Sequence, residues 1–159
     1  SYLGGTFVEH RLFASTEAQA EFVSIWQEIA STFRNEPALW GYDLANEPVE
    51  GGLPGGVLHW QALVEKTAAA IRALDTSHVI VVEGAPSGGV PAFPGLIPLR
   101  GAGPVVYSFH IYDPVLFTHQ GVVTPDTNIR YPGIIGGRYW DKDSLRAWMQ
   151  PVRNWQQHY

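Results

Sequence analysis

Three places along the chain put side chains capable of acid and hydrogen-bonding chemistry within or directly after a run of apolar residues. Asn46 and Glu47 follow the first run, Glu83 ends the second, and His110 and Tyr112 lie in the third. A carboxylic acid at the end of an apolar strand loses hydration, which favours the protonated form that a general acid needs. Asn46 adds an uncharged donor and acceptor suited to a substrate hydroxyl. The pattern indicates Glu47 as a candidate general acid.

Both carboxylates also have plainer interpretations. Glu47 could simply accept hydrogen bonds near a following helix, and Glu83 could be a member of a structural ion pair or a second active carboxylate. The histidines outside the third run and its following loop are interpreted as surface or capping residues: His10, His59, His78 and His158. Because no His-x-x-x-His spacing occurs, the sequence predicts no metal site and no cofactor.

Hydrophobic periodicity predicts the elements that must position these side chains. Apolar residues at i, i+3 and i+4 predict the helices, and β-branched or aromatic runs predict the strands. Thr16 and Gln19 have capping-box spacing before the first helix, and Pro151 bends or restarts the last one. The predicted elements are helices over 17–33, 57–74 and 145–155, strands over 39–45, 78–83 and 105–112, and an irregular segment over 113–142.

The alternation of strands with amphipathic helices predicts an α/β fold built from parallel βαβ units. The run at 78–83 is continuously apolar, as is typical of a parallel strand covered on both faces. Function in such folds lies at the C-terminal ends of the strands, where the long loops begin. Asn46, Glu47, Glu83, His110 and Tyr112 all fall at that edge.

Two of these strands carry longer motifs. Residues 41–48 read Gly-Tyr-Asp-Leu-Ala-Asn-Glu-Pro, and residues 107–112 read Tyr-Ser-Phe-His-Ile-Tyr. They resemble the glycoside hydrolase family 5 cellulases, whose fourth barrel strand ends in Asn-Glu-Pro and whose sixth carries His-x-Tyr. Other segments are similar to that family's loop and helix after strand six: 113–114, 117–121, 131–133, 140–142 and 151–152. The resemblance runs nearly end to end.

The resemblance implies a retaining hydrolysis of β-1,4-glucan with Glu47 as acid/base, and no metal or cofactor. Asn46 would hold the sugar's 2-hydroxyl, and His119 would line the cleft. The implied catalytic residues are Glu47, His110 and Tyr112. The candidate substrate-binding residues are Asn46, His119, Glu83 and Trp140.

That family's barrel has eight strands and ~250 residues, so the resemblance implies a middle slice of it. Ser1 to Phe13 look like the loop after strand three, and the chain stops at Tyr159, before the strand that carries the family's nucleophilic Glu. We therefore expect one domain over residues 1–159 forming roughly half of a TIM (β/α)8 barrel. Open strand edges and an apolar barrel interior predict self-association, most simply a homodimer that completes the barrel.

Composition limits the alternatives. With 45% apolar residues, 16% charged residues and a net charge of −5, the 159-residue chain offers neither a basic surface for nucleic acid nor the ~18-residue apolar run of a membrane helix. No signal peptide is evident, although the resemblance implies a secreted or extracellular enzyme. Two functions stay open: a glycoside hydrolase whose activity is weak or lost without the nucleophile, and a non-catalytic carbohydrate-binding or barrel-fragment module. A polysaccharide or oligosaccharide is the expected partner of either.

Overall fold

The computed structural model of the protein describes residues 11–159, which divide into two compact units, one ending at Phe109 and the other spanning His110–Tyr159. The predicted resemblance of Ser1–Phe13 to a barrel loop falls almost wholly outside the described residues. The first unit contains, in chain order, a 3-10 turn Arg11–Phe13, α1 Thr16–Phe33, β1 Gly41–Asp43, α2 Trp60–Arg72, β2 Val79–Glu83, a 3-10 helix Val90–Gly95 and β3 Val105–Ser108.

The three strands of the first unit form one parallel sheet in the order β1-β2-β3. Asp43 pairs with Val81, and Val81 pairs with Val106. Because the strands are parallel, each connection must cross back to the start of the next strand, and these connections contain α2 and the 3-10 helix. This confirms the predicted α/β fold with parallel strands. The strands are shorter than predicted, since β1 ends at Asp43 and β3 ends at Ser108, and the residues after them belong to loops.

Helices α1 and α2 cover one face of this sheet. Tyr42 and Ile80 are buried on that face, and the Tyr42 ring meets the Trp26 ring edge-on at 6.1 Å. The opposite face carries Asp43, Val81 and Val106, because side chains alternate along a strand. Asp43 is exposed and Val106 is 40% exposed, so this second face is only partly covered.

The first helix starts differently from the prediction. Its N-cap is Ser15, whose Oγ accepts the Ala18 N–H at 3.2 Å, so the predicted capping box of Thr16 and Gln19 is wrong. The Gln19 side chain is buried and bonds the N–H and the C=O of Leu58, both at 2.8 Å. Gln19 therefore ties α1 to the segment that leads into α2.

A buried carboxylate ties the N-terminal ends of the strands to α2. Asp75 accepts the Tyr42 hydroxyl at 2.6 Å and lies 2.5 Å from His78 Nδ1. Its other oxygen accepts the Ser77 and His78 N–H groups, and Arg72 donates to the Asp75 carbonyl. This cluster, Tyr42–Asp75–His78, joins β1, the turn after α2 and the start of β2. His78, predicted to be a surface or capping residue, is instead a member of it.

The second unit contains α3 Val115–Thr118, the antiparallel hairpin of β4 Gly133–Ile135 with β5 Arg138–Trp140, α4 Lys142–Trp148 and α5 Gln150–His158. The prediction of an irregular segment over 113–142 is therefore only partly right, because α3 and the hairpin lie within it, whereas residues 119–132 between them contain no named helix or strand. Gly136 and Gly137 both have positive φ, which suits the two-residue turn of a hairpin. The predicted restart near Pro151 is confirmed, because α5 begins at Gln150, with Pro151 in its first turn.

Candidate active site

The first candidate residues lie in the turn after β1. Asn46 is exposed, Glu47 is half-buried and Pro48 is buried, so the two polar side chains meet solvent while the proline anchors the turn. Glu47 has φ 49°, the left-handed conformation that non-glycine residues rarely adopt. This conformation costs about 1–2 kcal/mol, so neighbouring contacts must hold it.

Glu83, at the end of β2, supplies one of those contacts. Its Oε2 accepts the Glu47 N–H at 2.8 Å, and the residue is only 2% exposed. A hydrogen bond contributes roughly 0.5–1.5 kcal/mol to stability, which is comparable with the strain at Glu47. The structure thus brings Glu47 and Glu83 together, through a backbone group of one and the carboxylate of the other.

A second bond joins the loops after β1 and β2. The Ser87 N–H donates to the Pro48 carbonyl at 2.8 Å, and Ser87 is itself left-handed with φ 65°. On the other side of Glu83, the Trp60 indole Nε1 donates to the Glu83 carbonyl at 2.7 Å. The bonds from Glu47 and Ser87 therefore hold the Asn-Glu-Pro turn against the end of β2 and its loop, and the Trp60 bond holds the end of β2 against α2.

Sequence reasoning missed Ser87 and Gly88 as parts of this site. A Cβ added at Gly88 would overlap Glu83 Oε2, and Gly88 has φ 61°. The available signal was the loop Gly-Ala-Pro-Ser-Gly-Gly directly after β2, because glycine at such a place often marks a close approach of the backbone to another group.

In the second unit, three predicted residues form a ring cluster. His110 and Tyr112 meet edge-on with ring centroids 6.0 Å apart, and Tyr112 and His119 meet edge-on at 5.1 Å. Thr118, which the sequence analysis did not single out, bonds the Tyr112 carbonyl at 2.6 Å and lies 2.8 Å from His119 Nδ1. Tyr112 is 46% exposed, and the cluster contains one phenol and two imidazole rings.

The remaining predicted residue, Trp140, is only 6% exposed. Its ring meets the Trp148 ring edge-on at 5.9 Å, and the Arg138 guanidinium lies 4.6 Å from its centroid. A ring covered in this way is not available to stack on a sugar, so the burial argues against the predicted substrate-binding role. We interpret Trp140 as a packing residue between β5 and α4.

Within residues 11–159, no group of three or more His, Asp or Glu side chains is arranged to hold a metal ion. Across the same range, no helix is long and apolar enough to cross a membrane. The two sets of residues carry carboxyl, amide, imidazole and phenol groups.

Comparison with known proteins gives the family. Residues 6–156 match the Cellulase family, glycosyl hydrolase family 5. The chain belongs to this family. Endoglucanase C of Acetivibrio thermocellus is 29% identical over 133 residues, which cover 80% of this chain and 37% of that enzyme. Mannan endo-1,4-beta-mannosidase A of Emericella nidulans is 31% identical over 80 residues, covering 50% of this chain and 20% of that enzyme.

Solved structures show how much of the family fold is present. The endoglucanase Cel5A of Thermotoga maritima is similar with a TM-score of 0.75 at 25% identity, over 94% of this chain and 48% of that one. The family 5 chain described here therefore has the fold of about half of a TIM barrel, which confirms the predicted partial barrel. It also spans well under two thirds of the curated relatives that it matches.

Proposed function

We propose that the chain carries the acid/base part of the active site of a retaining glycoside hydrolase acting on β-1,4-linked glucan. The observation that carries the proposal is the left-handed Glu47 of the Asn-Glu-Pro turn, half-buried at the C-terminal edge of the sheet and held by Glu83. The family supports a hydrolytic function, and the name Endoglucanase C supports a glucan substrate.

The proposed reaction uses Glu47 twice. As an acid it protonates the glycosidic oxygen while a second carboxylate attacks the sugar, and as a base it then takes a proton from the water that releases the product. Asn46 binds the 2-hydroxyl, and His110 and Tyr112 orient the substrate and the nucleophile. His119 lines the cleft beside Tyr112, in keeping with the 5.1 Å approach of their rings.

The second carboxylate must lie ~5–5.5 Å from the first in a retaining enzyme. Glu83 fits that role poorly, because its carboxylate is buried and accepts a backbone N–H. We therefore propose that the nucleophile comes from the rest of the barrel, which a second copy of this chain or further strands of a longer protein would supply.

The same family resemblance supports an extracellular location.

Glu47→Gln tests the proposal, because glutamine keeps the size of the side chain and cannot donate the carboxyl proton. We expect the release of reducing sugar from carboxymethyl-cellulose to fall by about 10²–10⁴-fold, the usual contribution of a general acid. Glu28→Gln is the matched control, an exposed carboxylate on α1 that should keep wild-type activity. Equal activity of Glu47→Gln and wild type would overturn the assignment.

The second candidate is a non-catalytic carbohydrate-binding module, which the 46% exposed Tyr112 and its neighbouring His119 ring support, because such rings can contact a sugar. In that case, wild type and Glu47→Gln would bind cello-oligosaccharides with similar affinity in calorimetry, and neither would release product. The match to a mannan-degrading relative makes manno-oligosaccharides the comparison ligand that tests glucan preference.

A further inference from the structure

Glu83 is a deeply buried carboxylate whose placement the hydrolytic mechanism itself does not require. It lies at the last position of β2, is 2% exposed, and accepts the Glu47 N–H at 2.8 Å. Burial of a carboxylate is costly unless hydrogen bonds compensate for the lost water. The hydrogen bond with Glu47 therefore offsets part of the desolvation of the Glu83 carboxylate, a loss of hydration that an apolar residue at the end of β2 would not suffer.

The backbone around Glu83 is strained at two points. Within residues 11–159, Glu47 and Ser87 are the non-glycine residues with positive φ, at 49° and 65°. Both belong to the loops that Glu83 connects, and the Ser87 N–H bonds Pro48 directly. Strained backbone persists where the surroundings over-determine it, and it concentrates at functional sites.

Further contacts hold both the main chain and the side chain of Glu83. The Glu83 backbone carbonyl accepts the Trp60 indole N–H at 2.7 Å, and Gly88 lies so close to the side-chain Oε2 that a Cβ at Gly88 would overlap it. With main chain and side chain both held, the acceptor presented to Glu47 has little freedom to move.

We infer that Glu83 is a positioning residue of the active site, whose carboxylate holds the Glu47 backbone in the left-handed turn that aims the Glu47 carboxyl. The inference rests on the proposed function, because the direction of the Glu47 carboxyl matters for activity only if Glu47 is the acid/base. If the acceptor is removed, Glu47 can relax to an ordinary φ, and its carboxyl moves away from the scissile bond. A displacement of about 1 Å can lower a rate ~10²-fold, and kcat rather than KM should carry the loss.

The first experiment is nuclear magnetic resonance on the full chain, comparing wild type, Glu83→Met and Glu83→Gln. We expect Glu83→Met to speed exchange of the Glu47 amide at least about tenfold and to average its χ1 rotamers, because the acceptor is gone. Glu83→Gln keeps an oxygen acceptor and should retain more protection than Glu83→Met. The Leu44 amide, which bonds the Val81 carbonyl at 3.2 Å, is the internal control and should not change.

A second pair of variants tests the same link if Glu83→Met does not fold. Gly88→Ala pushes on the Glu83 carboxylate, whereas Gly101→Ala introduces the same left-handed strain, at φ 71°, with nothing within 4 Å of the new Cβ. We expect Gly88→Ala to release the Glu47 amide and Gly101→Ala to leave it protected. Equal exchange at Glu47 in both variants would overturn the inference.

Turnover of carboxymethyl-cellulose by the same proteins separates this inference from the proposed function. Loss of kcat in Glu83→Met, with partial recovery in Glu83→Gln and little change in KM, supports both. A wild type that forms the dimer and still lacks turnover would contradict the proposed function for this chain, whereas the exchange and rotamer data would still decide whether Glu83 holds Glu47. An unchanged Glu47 amide and χ1 in Glu83→Met would overturn the inference whatever the turnover.

Discussion

At the scale of single residues, Asp75 shows how hydrogen bonds overcome the effect of burial. Burial by itself would raise the pKa of Asp75, but hydrogen bonds from Tyr42, Ser77 and His78 lower it far below its usual range. Burial, followed by the hydrogen bond to Asp75, raises the pKa of Tyr42. The hydrogen bond to Asp75 likewise raises the pKa of His78 above its ordinary 6.5. Asp75 therefore stays ionised, and its contribution to stability is present above the unfolded pKa of about 3.9 and lost as the pH falls.

His78 makes a contribution of the opposite sign. Because its pKa is raised in the folded protein, its stabilisation is complete below the unfolded pKa of about 6.5 and disappears as the pH rises through the folded pKa. We expect His78→Gln to lower the melting temperature relative to wild type more at about pH 5.5 than at about pH 9. Thermal unfolding by circular dichroism at both pH values measures this difference.

Asp75→Asn provides the control for His78. In that background the carboxylate partner is gone, so His78→Gln should cost a similar amount at both pH values. A pH-dependent difference that survives in Asp75→Asn would show that a group other than Asp75 acts on His78.

At the scale of elements, the start of α1 distinguishes two adjacent hydroxyl residues. Ser15 caps the helix through the Ala18 N–H, whereas the Thr16 hydroxyl is exposed and bonds the neighbouring Glu17 carboxylate. We expect Ser15→Ala to lower the free energy of unfolding by about 1 kcal/mol, as is usual for loss of an N-cap. Thr16→Ala should change it by less than about 0.5 kcal/mol, as an exposed substitution does. Urea denaturation measures both, and equal costs would contradict the cap assignment.

The same scale shows where sequence patterns were sufficient. The periodic apolar residues of 17–33 predicted α1 to within one residue, although the buried residues of α1 are Gln19, Val23 and Ala30, and Ile25 and Phe33 of the predicted stripe are exposed. Strand ends were predicted too long, because apolar residues continue past the point where pairing with the neighbour stops. The hairpin of β4 and β5 was missed, although the Gly136-Gly137 pair between Ile135 and Arg138 is a two-residue turn signal.

At the scale of the whole molecule, the outer strands and the partly covered face of the sheet bear on how the protein assembles. Among the described residues, β1 and β3 are the outer strands, and the face that carries Asp43 and Val106 is only partly covered. In a closed barrel that face would be the packed interior. This face can be covered either by a second copy of the chain or by further strands of a longer protein, so the predicted homodimer stays a prediction.

Sedimentation equilibrium distinguishes the two. If two copies complete the barrel, we expect a solution mass of twice the 17.5 kDa of the chain, and Val106→Lys should shift the protein toward monomer by placing a charge in the interior. Val122→Lys is the control, a 78% exposed valine in the second unit that should leave the mass unchanged. A wild-type mass of 17.5 kDa at micromolar concentration would contradict the dimer.

The sequence by itself determined the alternation of helices and parallel strands, the family, and the placement of Asn46, Glu47, Glu83, His110 and Tyr112 at or near strand ends. These features follow from periodicity and short motifs, which involve residues close together in the chain. Only the tertiary structure decided that the Glu83 carboxylate accepts the Glu47 N–H, that Gln19 bonds Leu58, and that Trp140 is buried. The bonds of Glu83 and Gln19 join residues 36 and 39 positions apart, and the cover over Trp140 depends on how α4 packs against β5. The direction of a side chain is set by the packing around it, which no local pattern of residue types encodes.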